Sequence, residues 1–138
     1  MSEQQNTDLC KQAYAAFGRG DIPAVLDLLH DDIEWQGVIG AAPHVPTAGT
    51  RYGKPAVADF FRILGETVEF TRFEPREFIA QGDQVVILGY YEGRSKATGR
   101  TFAEHWAMVD TFSNGKIVRF REYVNAAAIN AAFDAAGV

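Results

Sequence analysis

The chain has 138 residues, 47% of them apolar, with 10 Phe, 5 Tyr and 2 Trp. That length suits one domain spanning residues 1–138, and the aromatic content suffices for a core without metal or disulfide support. A net charge of −5, with basic residues scattered, argues against nucleic acid as a partner. Cys10 is the lone cysteine, so no intramolecular disulfide is expected. The polar start "MSEQQNTD" lacks a signal-peptide pattern, and no apolar run approaches the ~20 residues of a membrane span. The expectation is a cytoplasmic protein with no membrane contact.

In chain order, "NTDLCKQAYAAFGRGD" predicts a helix capped by Asn6 or Thr7, with Cys10, Ala13, Tyr14 and Phe17 on one face. "DIPAVLDLLHDD" predicts a second helix, with Asp21 as cap, Pro23 in its first turn and His30 near its end. "IEWQGVI" reads as a strand. Residues 40–54 lack periodicity and carry prolines and glycines, the composition of a loop. "KPAVADFFRIL" predicts a third helix. Strands are expected at 67–80, 84–93, 100–112 and 116–124, with "QGDQ" and "SNGK" as turns. A short helix is expected in "AAAINAAFDAAG". Helices segregated from antiparallel strands make an α+β fold.

A two-residue turn at Asn114-Gly115 sets Ser113 opposite Lys116. Run outward without interruption, the pairing sets Asp110 against Arg119, Met108 against Arg121, Trp106 against Tyr123 and Glu104 against Asn125. Those eight residues then share one face. A turn at Thr98-Gly99 would add Tyr91 and Gly89 to it. Acids, arginines, rings, a methionine and an amide together look like a pocket, which combines apolar walls with a few polar groups. The alternative is that helices cover the Val109/Phe120 face and the charged face is wet.

These pieces together resemble a SnoaL-like, polyketide-cyclase-related protein of the nuclear transport factor 2-like (NTF2-like), ketosteroid isomerase-like superfamily. The resemblance rests on "LHDDIEW", "RYGKPAVADFF", "FEPREFIAQGDQVVILGYYEGRSKATGR" and "FAEHWAMVDTFSNGKIVRFREYVNAAAI", and covers roughly residues 8–135. It implies a cone-shaped, curved antiparallel sheet wrapped around the N-terminal helices, with an internal pocket. It also implies a homodimer through the outer sheet face, Trp35 near the pocket and the 40–52 loop at its rim. Function does not follow from such a fold alone.

In SnoaL-like enzymes the last strand ends Tyr-x-Asp, the Asp acting as general acid/base. Here Tyr123 matches and Asn125 does not, and a carboxamide takes no proton at neutral pH. Met108 stands where the family often has His. Asn125 is also well placed to cap the terminal helix. The candidate catalytic group is therefore Glu104 or Asp110, with Arg121 and Tyr123. Arg121, if inside, would suit a ligand carboxylate or phenolate. Asp110 opposite Arg119 is otherwise an ordinary cross-strand ion pair. Candidate ligand-binding residues are Trp35, His44, Phe60, Tyr91, Trp106, Met108 and Asn125. Histidines and acids show no metal-ligand spacing, and there is no glycine-rich phosphate loop, so neither metal nor cofactor is expected. The expected function is binding of a small apolar or aromatic metabolite. The alternatives are an isomerase, cyclase or hydratase acting on a small carbonyl or epoxide, and an interaction module whose pocket is filled.

Overall fold

A computed structural model describes residues 2–134. Helix α1 (Glu3–Gly18) starts earlier than the periodicity suggests, because "SEQQ" makes a capping box. Ser2 Oγ accepts from the Gln5 N–H at 3.0 Å, and Gln5 Oε1 accepts from the Ser2 N–H at 2.8 Å. Asn6, expected as a cap, is instead buried inside the helix. In α2 (Ile22–Asp27) Asp21 does cap, accepting from the Ala24 N–H at 3.2 Å.

The second helix then stops short of its expected length. Leu29 opens strand β1 (Leu29–Gly37), which takes the His30 segment into the sheet. Pairing with the last strand outweighs a weak local helical period there. His30 Nδ1 accepts from the Asp32 N–H at 3.0 Å instead of ending a helix. A short strand, β2 (Gly49–Tyr52), lies in the stretch expected to be loop and pairs with β1. Helix α3 (Lys54–Thr67) follows, then β3 (Val68–Gln81), β4 (Gln84–Ser95), β5 (Thr101–Ser113), β6 (Lys116–Tyr123) and α4 (Ala126–Ala132). Residues 135–137 of the expected terminal helix lie outside the described residues.

The architecture is α+β, with a curved, unclosed sheet that wraps the helices. Strand order is β2-β1-β6-β5-β4-β3, antiparallel except for β1 beside β6. Register shifts in β3, between Phe70 and Arg72 and between Pro75 and Glu77, mark bulges of the kind that bend a strand. Helix α1 packs on β3 and β4, and α3 on β1 and β2. Among the described residues, no helix is long and apolar enough to cross a membrane.

Two pairings depart from the expected register, and one of them changes which side chains face inward. Between β4 and β5, Tyr91 faces Glu104 and Gly89 faces Trp106, two residues away from the expected pairing. An even slip leaves every side chain on its face, so Tyr91 and Trp106 still share one. The β5–β6 hairpin begins as expected, with Asn114 and Gly115 at φ 51° and 77°. After Ser113–Lys116 and Phe112–Ile117, however, the ladder shifts by one residue. Thr111 then faces Arg119, Asp110 faces Phe120, Val109 faces Arg121 and Met108 faces Glu122. An odd slip exchanges the faces. Beyond that bulge, Phe120 and Glu122 point inward while Arg119, Arg121 and Tyr123 point outward.

Candidate functional site

The helices and the concave sheet face enclose a cavity of about 100 Å³. Eleven of the 23 residues lining it are aromatic, which makes its walls stiff and apolar. Trp35 illustrates the packing: its ring stacks on Phe120 at 3.8 Å and tilts against Phe60 at 5.3 Å. Two acids interrupt these walls, Asp110 on β5 and Glu122 on β6. Met108 faces Glu122 and Asp110 faces Phe120, so the acids are diagonal neighbours, roughly 7–8 Å apart on a regular sheet.

Glu122 is fully committed to its neighbours. One oxygen accepts from the Tyr91 hydroxyl at 3.0 Å, and the other from the Val38 N–H at 3.2 Å. The Glu122 backbone carbonyl also accepts from the Ile39 N–H at 3.0 Å. These bonds hold Val38 at φ 43°, a conformation a β-branched residue seldom adopts. Burial pushes the Glu122 carboxyl above its usual range, while the Tyr91 and Val38 donors pull it back down. Glu122 thus ties the start of the 38–48 segment to the sheet.

Asp110 is different. Its Oδ2 accepts from the Cys10 thiol at 3.2 Å, while Oδ1 is buried without a hydrogen-bond partner. Burial pushes its carboxyl up to about 7, against a smaller downward pull from Cys10. Cys10 is itself buried and pushed far up by burial and by Asp110, so it stays a neutral thiol and a donor. Beside it on α1, the Tyr14 hydroxyl donates to Met108 Sδ at 3.1 Å. A buried acid poised near neutrality, with one free oxygen, can give or take a proton.

Of the residues singled out in the sequence, Trp35, Phe60, Tyr91, Met108 and Asp110 line the cavity. Trp106 does not; it is buried against Tyr14 and Phe73. Glu104 is half-buried on the same sheet face, opposite Tyr91 and not Asn125, and burial raises its carboxyl. The bulge corrects the placement of Arg121 and Tyr123. Both are on the outer face, where Arg121 Nη1 donates to the Tyr123 hydroxyl at 3.2 Å. The expected Asp110–Arg119 pair is absent for the same reason, and Arg119 reaches Glu34 at 2.7 Å. His44 is exposed, with Nε2 3.0 Å from the Asn130 carbonyl oxygen. Among the described residues, no cluster of three or more His, Cys, Asp or Glu is placed to hold a metal.

Asn125 is exposed and caps α4, its Oδ1 accepting from the Ala128 N–H at 3.4 Å. The bond is long, and Asn and Asp cap about equally well. Asn125→Asp is therefore expected to move stability by less than about 0.5 kcal/mol. Thermal melts of the two proteins check this, and a drop of several degrees would contradict the capping role.

Glu122 is the residue that sequence reasoning missed. Its signal was the alternation Phe120, Glu122, Val124, an acid between two apolar residues on one strand face. A continuous register assigned that alternation to the opposite side.

The pattern of the SnoaL-like domain matches residues 10–120. An NTF2-like protein from Burkholderia xenovorans LB400 is 38% identical in sequence. The match covers 97% of this chain and 99% of that one, with a TM-score of 0.87. TerC, crystallised together with polyporic acid, is 27% identical over 94% of this chain and 98% of its own, with a TM-score of 0.82. An uncharacterised protein of Mycobacterium tuberculosis is 25% identical over 133 residues, covering 89% of this chain and 91% of its own.

Proposed function

This chain belongs to the SnoaL-like domain family of NTF2-like proteins, and on that footing we propose that its cavity binds a small, mainly apolar molecule and that Asp110 exchanges a proton with it. The observation that carries this is the free Oδ1 of Asp110, a buried acid oxygen with no partner in an aromatic cavity. Buried polar atoms are normally satisfied, and each exception calls for a reason. A bound ligand supplies one here.

The reaction that fits is proton transfer at a carbon next to a carbonyl. The ionised Asp110 takes the proton, the C–H electron pair moves into an enolate, and the acid returns the proton. This is chemistry of the isomerase or cyclase kind. The family position for the acid, at the end of the last strand, holds Asn125, so Asp110 would do this work from the neighbouring strand.

Deuterium incorporation into acetophenone, a one-ring ketone, followed by NMR in heavy water, tests the proposal. The rate should climb with pH to a plateau above about 7, as Asp110 ionises. Asp110→Asn should lower it by about 10²–10⁴-fold, while binding, followed by quenching of Trp35, changes little. Exchange that survives the substitution removes Asp110 as the acid/base. Binding with no exchange in the parent protein leaves a non-catalytic pocket, a reading that the amide at Asn125 favours.

A further inference from the structure

The one-residue shift in β6 does more than relocate two side chains. It changes the sign of the charge inside the cavity. With an uninterrupted register, Arg121 would face inward and a ligand anion would have a partner. With the bulge, Glu122 occupies the inner face and Arg121 leaves it.

Among the described residues, the lining contains two acids, Asp110 and Glu122, and no Lys, Arg or His. Glu104 adds a third acid on the same face, opposite Tyr91. Facing Asp110 from α1 are Cys10, bonded to it at 3.2 Å, and Tyr14, while Tyr91 on β4 donates to Glu122 at 3.0 Å. All three are held in their neutral, proton-bearing forms by burial and by the acids around them. Nearby cations make their contacts outside the cavity lining. Arg119 pairs with Glu34, and Arg121 sits with Tyr123 on the outer face. Arg51, which shares a face with Trp35, lies over the Phe60 ring with its guanidinium carbon 5.7 Å from the ring centroid. It is held there by the Pro46 carbonyl at 3.3 Å and by Asp59 at 3.9 Å.

We infer that the cavity sorts its ligands by charge, admitting uncharged and ammonium-bearing one-ring molecules and excluding carboxylates and phenolates. The inference rests on the binding reading above. An anion entering the cavity loses its hydration and finds no cation to replace it. It also meets acid oxygens, which repel a like charge. An uncharged hydroxyl or carbonyl avoids both costs. An ammonium group gains twice, from the free oxygen of Asp110 and from the ring faces around it. At about 100 Å³ the cavity does not exceed the roughly 150 Å³ that holds benzene, so one ring is the upper limit.

Benzyl alcohol, benzylamine and benzoate form a matched test series, titrated into the full chain at pH 8 by calorimetry. The alcohol and the amine are expected to bind, and benzoate to bind at least about 100-fold more weakly than the alcohol. Benzoic acid should enter only in its neutral form, so its apparent Kd should rise about tenfold per pH unit above its own pKa. In Asp110→Asn the gap between alcohol and benzoate should narrow by about tenfold, because one of the two lining acids is gone. Benzoate binding to the parent as tightly as the alcohol at pH 8 would overturn the inference while leaving the binding reading intact. A gap unchanged in the variant would overturn its assignment to the acids. If none of the three ligands binds, the binding reading fails and this inference fails with it.

Discussion

Between pH 4 and pH 8, Asp110→Asn is expected to gain on the parent protein by up to about 4 kcal/mol of unfolding free energy. Folded Asp110 holds its proton to about pH 7, whereas the ordinary carboxyl releases it near 3.8. Across that window the folded state binds more protons than the unfolded one, so stability falls as pH rises. Glu122, also raised by burial, acts in the same direction. Asparagine cannot ionise, so its contribution is flat. It does leave an amide N–H group buried without a partner, at a cost of about 1–3 kcal/mol at every pH. The curves should therefore start with the variant below the parent near pH 4, cross between about pH 4.5 and 6, and leave the variant above the parent at pH 7 and beyond. Denaturant melts at unit pH steps measure the difference. Parallel curves would mean that Asp110 ionises in the folded protein as freely as in water. The same unpaired acid that the proposed chemistry needs is thus a standing cost to the fold at neutral pH.

Gly89→Ala carries the other large effect. Gly89 lies in β4 opposite Trp106, with Pro75 on its other side. A Cβ there would sit 2.3 Å from Trp106 Cζ2 and 2.6 Å from the Glu74 carbonyl oxygen. The indole is itself fixed between Tyr14, Phe73 and Tyr91, and the carbonyl belongs to the backbone of β3. Neither can retreat cheaply in a close-packed interior. The expected loss is about 3 kcal/mol, at the upper end for an overpacked core. Gly65→Ala is the control. That glycine is in α3 with nothing within 4 Å of an added Cβ, and the change should stabilise by about 0.5–1 kcal/mol. Equal melting temperatures for the parent and Gly89→Ala would show that Trp106 does not pack over Gly89.

Local chemistry was legible in the chain. Asp21 and Asn125 cap the helices that follow them, and Asn114-Gly115 makes the hairpin turn. Strands β3 to β6 fall within a residue or two of their expected bounds. In each case the decisive interactions lie within a few residues of one another. The motifs also sufficed to identify the family. Strand β2 was hidden because four residues amid glycines and prolines form a strand only when β1 is beside them. The end of the second helix was misjudged for a related reason, since Leu29 and His30 join a sheet whose partner strand lies far along the chain.

Inner-face composition was where sequence reasoning divided. On β5 it held, with Trp106, Met108 and Asp110 all directed inward. On β6 it failed from Arg119 onward. There the strand is paired with β5 on one side and with β1 on the other, and both ladders are irregular at that point. Nothing in "KIVRFREY" announces the extra residue, because a bulge is the compromise between two neighbours and not a property of the strand alone. Alternation along a strand has period two, so a single inserted residue is enough to exchange an arginine for a glutamate at the cavity wall. The sequence by itself determined the family, the caps at Asp21 and Asn125, the hairpin and the acid on β5. Only the tertiary structure decided that the second charged group inside is Glu122, and hence that the cavity is acidic.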